Sequence, residues 1–455
     1  MKIALYILAI IAVVSMIIRT IPHAEASTRL TLANHRAYDR NQLTEEVSFN
    51  LLRVQRDPGG AIGWRQLASA YLAAGREKDS ADLAKKAEAA AEQSLKIRSK
   101  RNGSAAVILS EALLEQHRFT DALNACMKSL ELEPENDFAE RTLTDIYFEI
   151  GRYGEARKLI GKHPEWSEDP SGLALFARQQ ELTGHPDQAV VSLSKATELA
   201  ESEPDLPAPT VSWFHIKLGD LLARTGDLTK AEAHYLDALK MNSGSWKALA
   251  SMARLKAMQK DFKDVIAYGS KLNEIAPMTD VVGLMEDASK SLGDQDSAQK
   301  YTSQVLAMNK NTIDAGTNPA SELDMKRGHT HDRMFSMYLA DHNRMLALAQ
   351  HAATHDLASR KDIYAYDTYA WSTFRMATFN SSVANTTDND YRLIEVKQCI
   401  DKALALGTKD AKLLYHAGMI EVSLHQNTQA KLHFQQAIDI NPSIVPDAKS
   451  ELAKL

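Results

Sequence analysis

Apolar positions recur at helical spacing through most of the chain, and runs of Val/Ile/Thr alternation long enough for strands are absent. The pattern predicts helices throughout. Two distant stretches carry the same arrangement: residues 212–242 read SWFHIKLGDLLARTGDLTKAEAHYLDALKMN, and residues 411–442 read AKLLYHAGMIEVSLHQNTQAKLHFQQAIDINP. In each, a Gly follows a Leu or Ala in the first half (Leu218–Gly219, Ala417–Gly418). Further on come Ala231 or Ala430, then an aromatic residue (Tyr235, Phe434), then Ala238 or Ala437. The spacing has a physical cause. Two antiparallel helices that pack closely, and then pack on the next pair, need small side chains where backbones approach and large ones to fill the spaces between.

A unit of this kind resembles the tetratricopeptide repeat. The resemblance implies an all-α fold, a right-handed superhelix of antiparallel helix pairs with about ten units here, in which each unit packs on its neighbours. Trp64, Leu67, Ala68 and Tyr71 fit the first helix of the first unit, and Glu77 to Arg98 reads as an extended second helix. Later units are marked by Leu109, Ala122 and Pro134, by Leu143, Gly151 and Ala156, and by Ala177, Gly184 and Ala189. Beyond the unit at 212–242, two more carry Met252, Val265 and Pro277, then Met285, Gly293 and Ala298.

The places where the pattern lapses divide the chain. Residues 1–26 stand apart from the rest, and 27–60 form a polar N-terminal segment ending in a Pro-Gly-Gly loop. A first sub-array spans 61–200. The sequence ESEPDLPAP at 201–209 holds three prolines and predicts a bend, because proline lacks an N–H and clashes with the preceding turn. A second sub-array spans 210–308, a polar linker 309–330, and a C-terminal sub-array with a cap helix 331–455. The C-terminal part carries an insertion, NSSVANTTDND, at 380–390.

Charge narrows the partners: a formal net charge of −6 offers no polybasic field for nucleic acid. In the first 26 residues, Lys2 precedes an apolar run from Ile3 to Ile18, and Ala24-Glu25-Ala26 offers small residues before Ser27. This predicts export, with a cleaved signal peptide leaving Ser27 as the first mature residue. The protein would then be periplasmic or secreted. The alternative is an uncleaved anchor that tethers it to the inner membrane, although the run is short for the roughly 20 residues a bilayer needs. Cys126 and Cys399 are the only cysteines, and their separation in a solenoid favours two buried thiols over a disulfide. Asn102, Asn380 and Asn385 begin N-x-S/T sequons.

No nucleophile elbow, P-loop or dinucleotide fingerprint is present, so the chain reads as non-catalytic, with no cofactor. The densest aromatic patch is YAYDTYAWSTF at 364–374. Counting from Ala370, the residues Tyr364, Asp367 and Trp371 fall on the inner-groove face, and Tyr415 and Met419 take equivalent places in the next unit. Aromatic anchors beside a carboxylate suit capture of an extended peptide or a partner helix. The same residues can equally fill the core, as the pattern suggests for Tyr366 and Tyr369. Arg141, Arg178, Arg224 and Arg254 would make the central groove locally basic and suited to an acidic segment, or they are ordinary solvated charges. The groove positions Arg178, Asp220 and Arg254 lack the Asn ladder of a carboxylate clamp. Metal ligation is the other chemistry to weigh: His351 and His355 are four apart on a predicted helix, and His329 and His331 lie just upstream. No HExxH or CxxC accompanies them.

Several segments are more specific than the repeat, among them LLRVQRDPGGAIGWRQLASAYL (51–72), MYLADHNRMLALA (337–349) and ALALGTKDAKLLYHAGMI (403–420). They resemble a family of exported bacterial tetratricopeptide proteins without an assigned activity or catalytic residues. The resemblance implies a helical scaffold or adaptor in the cell envelope, holding a protein or peptide in its groove. Metal handling by the His-rich C-terminal half is the alternative.

Overall fold

The computed structural model describes residues 40–317, 332–379 and 386–455. The expected export segment, His329 and His331, and residues 380–385 of the insertion lie outside them. No strand occurs among the described residues. After α1 (Arg40–Arg56), seven helix pairs follow in order. They are α2/α3 (Ala61–Lys78, Ala81–Ile97), α4/α5 (Gly103–Leu114, Phe119–Leu132) and α6/α7 (Asp137–Glu149, Tyr153–Lys162). Next come α8/α9 (Pro170–Leu182, Pro186–Ser202) and α10/α11 (Ala208–Arg224, Leu228–Met241). Then α12/α13 (Trp246–Met258, Phe262–Asn273) and α14/α15 (Thr279–Ser291, Gln295–Met308) lead into the short α16 (Lys310–Thr317). Three more pairs complete the stack: α17/α18 (Asp332–Asp341, Leu346–Ser359), α19/α20 (Ile363–Phe379, Thr386–Leu404) and α21/α22 (Ala411–Ser423, Asn427–Ile440). Helix α23 (Ala448–Ala453) covers the last pair. Ten pairs form a tetratricopeptide-repeat α-solenoid, the architecture the repeat predicts.

The repeat consensus is a rule of paired volumes. Gly219 faces Tyr235, and a Cβ there would lie 2.5 Å from the ring. Gly418 faces Phe434 in the same way, at 2.6 Å. Both rings are buried, so each helix pair closes over an aromatic plate laid on bare backbone. In α4/α5 the same two positions hold Ser110 and Cys126, both buried: a slightly larger first residue meets a smaller second one. The Cys126 thiol donates to the Ala139 carbonyl at 3.2 Å. Cys126 and Cys399 are both buried and unbridged.

Several helix starts are fixed by side-chain caps. Asp227 accepts from the Lys230 N–H, Asp294 from Ser297 and Asp410 from Leu413, each satisfying a donor that the first turn leaves unpaired.

Four segments differ from the sequence expectation. The polar stretch 27–60 contains α1, which packs Leu51 and Val54 against the first unit. The long helix expected over Glu77–Arg98 is broken, because Asp79 adopts φ 48° and Ser80 caps α3, so α3 begins at Ala81. At 201–209, Pro204 and Pro207 occupy a short turn between α9 and α10 while Pro209 sits in the first turn of α10, and Leu173, Ala196, Ala200 and Phe214 pack across the turn. The front of the 309–330 linker is helical as α16.

The paired-volume rule sets a stability test. Gly418→Ala gains about 1 kcal/mol of helix propensity but forces the Phe434 ring aside at a cost of about 1–3 kcal/mol. Chemical denaturation followed by circular dichroism should show a net loss on the order of 1 kcal/mol. Phe434→Leu made in the same chain should relieve part of the Gly418→Ala penalty, giving less than the sum of the two single losses.

Candidate functional site

The solenoid coils tightly enough for units far apart in sequence to touch. The turns that end the first helices of the third, fourth and fifth units dock against turns of the last three. The Lys361 N–H donates to the Ile150 carbonyl at 3.3 Å, and the Ile363 N–H to the Tyr153 hydroxyl at 2.8 Å. Thr408 Oγ1 donates to the Leu182 carbonyl at 2.5 Å, and Asn441 Nδ2 to the Ala223 carbonyl at 2.6 Å. A contact between the first and sixth units repeats the theme: Trp246 Nε1 donates to the Arg76 carbonyl at 2.9 Å, and Asn242 Nδ2 to Glu77 at 3.1 Å.

Glycines make this approach possible. Gly151, Gly184 and Gly226 occupy the left-handed region at φ 78°, 78° and 92°. Conformation alone does not demand glycine, because His117, Lys260 and His425 adopt positive φ in the equivalent turns of other units. Proximity does. A Cβ at Gly151 would lie 2.2 Å from the Lys361 oxygen, at Gly184 2.2 Å from the Gly407 oxygen, and at Gly226 3.0 Å from the Ile440 oxygen. The apolar core spans the same seam, joining Phe148, Ile160, Trp166 and Leu175 to Ile363, Trp371 and Leu413.

The docked coil leaves a cavity of about 650 Å³ in the inner groove. Its walls are the inner faces of α6, α8 and α10, and its far side carries Arg333, Asp362, Tyr364 and Asp410. Phe138, Phe148, Tyr153, Trp213 and Tyr364 supply the aromatic lining.

Its arginines are already occupied. Arg178 bridges Glu149 at 2.6 Å and Asp145 at 3.2 Å, and Arg224 pairs with Glu181 at 2.7 Å. Arg141 grips Asp169 with both terminal nitrogens, and Arg333 holds Asp356 and Asp362. Burial works to raise the Glu149 carboxyl, but the guanidinium groups of Arg178 and Arg360 outweigh it and hold it at about 2. The reverse holds at Asp145, where burial outweighs Arg178 and the carboxyl is raised. Burial likewise raises Asp410, partly offset by the Leu413 N–H.

Of the residues singled out in the sequence, the cavity gathers Tyr364, Arg141, Arg178 and Arg224. Arg254 lies outside it and pairs with Asp280 at 2.7 Å. Trp371 is 2% exposed: its Nε1 donates to Asp341, and it stacks on His416 at 4.0 Å between centroids. Asp367 is buried and bonds His416 Nδ1 at 2.8 Å. Tyr415 and Met419 are half-buried, packed against the core of the last units. The arginines are therefore charge-neutralised in place, and a Trp371 substitution would register first as a packing change. Asn102 is buried, with its amide donating to Ser94 and Arg98, so that sequon is closed by the fold.

Sequence reasoning missed Phe138, Trp213, Lys217 and Asp410, and the carboxylates facing the arginines. A signal existed for the last of these: Asp145 and Glu149 are four apart on the inner face of α6, where one arginine can reach both.

The metal candidates fare differently. Among the described residues, the ligand-type cluster that comes together is Glu286, Asp287 and His342, without His351 or His355. Glu286 is already filled: it accepts from Arg344 at 2.7 and 2.9 Å, from Lys290 and from Tyr338. Burial favours its neutral form, but those hydrogen bonds hold its carboxyl at about 2. The cluster is a tie between α14 and α17, and nothing in it favours a metal. Both thiols are raised by burial, Cys126 to about 12, so neither is a ready nucleophile.

Comparison with known proteins agrees with the helix pairing. Residues 113–179 match one tetratricopeptide repeat model, and residues 214–244 and 411–444 match a second. Among solved structures, the chain is similar to a chain of the APC/C hetero-tetramer Cut9–Hcn1, at 10% identity and a TM-score of 0.33, over 91% of this chain and 93% of that one. It is also similar to a tetratricopeptide repeat protein from Parabacteroides merdae, at 16% identity and a TM-score of 0.32, over 62% of this chain and 97% of that one. No curated protein matches the sequence. By its repeats and its helix pairing, the chain is a tetratricopeptide-repeat protein.

The glycine seam carries its own control. Gly293 has φ 81°, but a Cβ there would enter open space with no atom within 4 Å, so Gly293→Asn should leave structure and stability nearly unchanged. Gly184→Asn keeps the same backbone preference yet meets the Gly407 oxygen. Small-angle scattering should show a larger radius of gyration for Gly184→Asn than for Gly293→Asn. Equal radii would show that the seam tolerates a side chain.

Proposed function

We propose that this protein is a non-catalytic scaffold that holds a protein or peptide segment in the inner groove of its solenoid. The single observation that carries the reading is the cavity between docked coils, with an aromatic lining and polar groups converging on it. Repeat proteins of this kind present extended concave surfaces built for recognition. The dimensions favour an extended segment. An α-helix with its side chains is about 10–12 Å across, so a helical partner needs a groove open along its length.

Photo-crosslinking tests this by position. A photoreactive residue replacing Trp213 or Phe138 should capture a discrete protein partner in extracts of the native cell. The same residue at Val191 or Leu432, both exposed and outside the cavity lining, should not. Capture from Val191 and Leu432 alone would move the binding surface away from the groove.

We further propose that the scaffold works in the cell envelope, exported by its first 26 residues. The support is the order of Lys2, the apolar run Ile3–Ile18 and the small residues Ala24 and Ala26. No helix among the described residues is long and apolar enough to cross a membrane. The mature N-terminus, read by mass spectrometry of the purified native protein, should begin at Ser27. A mature chain retaining Lys2 in a soluble cytoplasmic fraction would rule export out.

A further inference from the structure

We propose that the inner cavity binds a short peptide with both termini free, its ammonium at Asp410 and its carboxylate at Lys217. The inference rests on the groove being the recognition surface and adds what that surface recognises.

The charges decide it. Every arginine lining the cavity is tied to one or more carboxylates of the chain, so an acidic partner finds no free guanidinium there. Two lining groups are left over, and they have opposite signs. Lys217 on α10 is exposed, and its ammonium sits 5.4 Å from the centre of the Trp213 ring, with no ion pair or hydrogen bond among the described residues. Asp410 begins α21 and accepts one backbone hydrogen bond, from Leu413, with no cation paired to it among the described residues. Its position at the start of a helix explains that one bond. It does not explain why the carboxylate lines the cavity with no salt bridge of its own, Arg224 acting on it only from a distance while paired to Glu181.

A purely cationic ligand would leave Lys217 unanswered, and a purely anionic one would leave Asp410. A zwitterion answers both. The two groups stand on different coils, Lys217 on the fifth unit and Asp410 on the tenth, so one ligand would bridge the seam. Size agrees: about 650 Å³ falls inside the range of about 300–1,000 Å³ typical of sites that enclose a compact ligand. Phe138, Trp213 and Tyr364 line the same cavity and offer apolar faces for side chains, and Phe138 is 51% exposed. The Tyr364 hydroxyl, which has no hydrogen-bond partner among the described residues, is available to a peptide carbonyl. Burial already raises the Asp410 carboxyl, and an arriving ammonium would add a close counter-charge that favours its ionised form.

The test uses the full mature chain and alanine-phenylalanine peptides from dipeptide to pentapeptide, titrated calorimetrically. Free-ended peptides of one or two lengths should bind, and N-acetylation or C-amidation should each weaken binding at least tenfold. Asp410→Asn keeps a competent helix cap and should abolish the acetylation penalty while preserving the amidation penalty. Lys217→Gln should do the opposite. The proposal falls if no free-ended length binds, if blocked peptides bind as well as free ones, or if both variants weaken all peptides alike. Crosslinking from Trp213 and Phe138 that persists after such a failure would leave the scaffold standing and remove only this ligand class.

Discussion

Three carbonyl oxygens, those of Lys361, Gly407 and Ile440, rest where the side chains of Gly151, Gly184 and Gly226 would begin. The rest of the molecule depends on that approach. It sets how tightly the solenoid can coil, and it brings the inner face of the third to fifth units under the last three. It also converts an open groove into a walled cavity. Around it, Thr408 and Asn441 donate to the Leu182 and Ala223 carbonyls at helix ends. Arg360 reaches Glu149 across the same seam at 3.3 Å. The seam is thus satisfied by hydrogen bonds and charge as well as by packing.

The architecture was legible in the sequence because its cause is local. Gly219 with Tyr235, and Gly418 with Phe434, are close in the chain, and each pair states a volume requirement that holds inside one unit. The seam was not legible, because Gly184 reads as an ordinary helix stop and its real constraint is an atom more than two hundred residues away. The candidate site divides along the same line. Tyr364, Arg178 and Arg224 were visible from unit positions and do line the cavity. Asp410 reads as a cap and Lys217 as a surface lysine until the coil brings their units together. Trp371 fits both the groove face and the core by spacing, and only its contact with His416 and Asp341 places it inside.

The electrostatics follow from enclosure. Charges on the open face of a solenoid are screened, and pairs there contribute little. Inside a walled groove the same groups lose water on several sides, so an unpaired arginine becomes costly and pairing becomes nearly compulsory. That explains why Arg141, Arg178, Arg224 and Arg333 each hold at least one carboxylate. The basic groove suggested by the arginines alone is instead a balanced lattice of both signs.

The hydrogen bond from Asn441 to Ala223 spans 218 residues of chain, and that span bears on how the molecule comes apart. A solenoid whose units touch only their neighbours behaves as a one-dimensional stack, free to fray from its ends or melt in patches. Contacts between coils add a second dimension. The last three units are clasped sideways by the third, fourth and fifth, so loosening one end exposes surface in the middle. Such a molecule trades fast, local folding for slower assembly. In exchange, the C-terminal end of the array gains partners beyond its sequence neighbours.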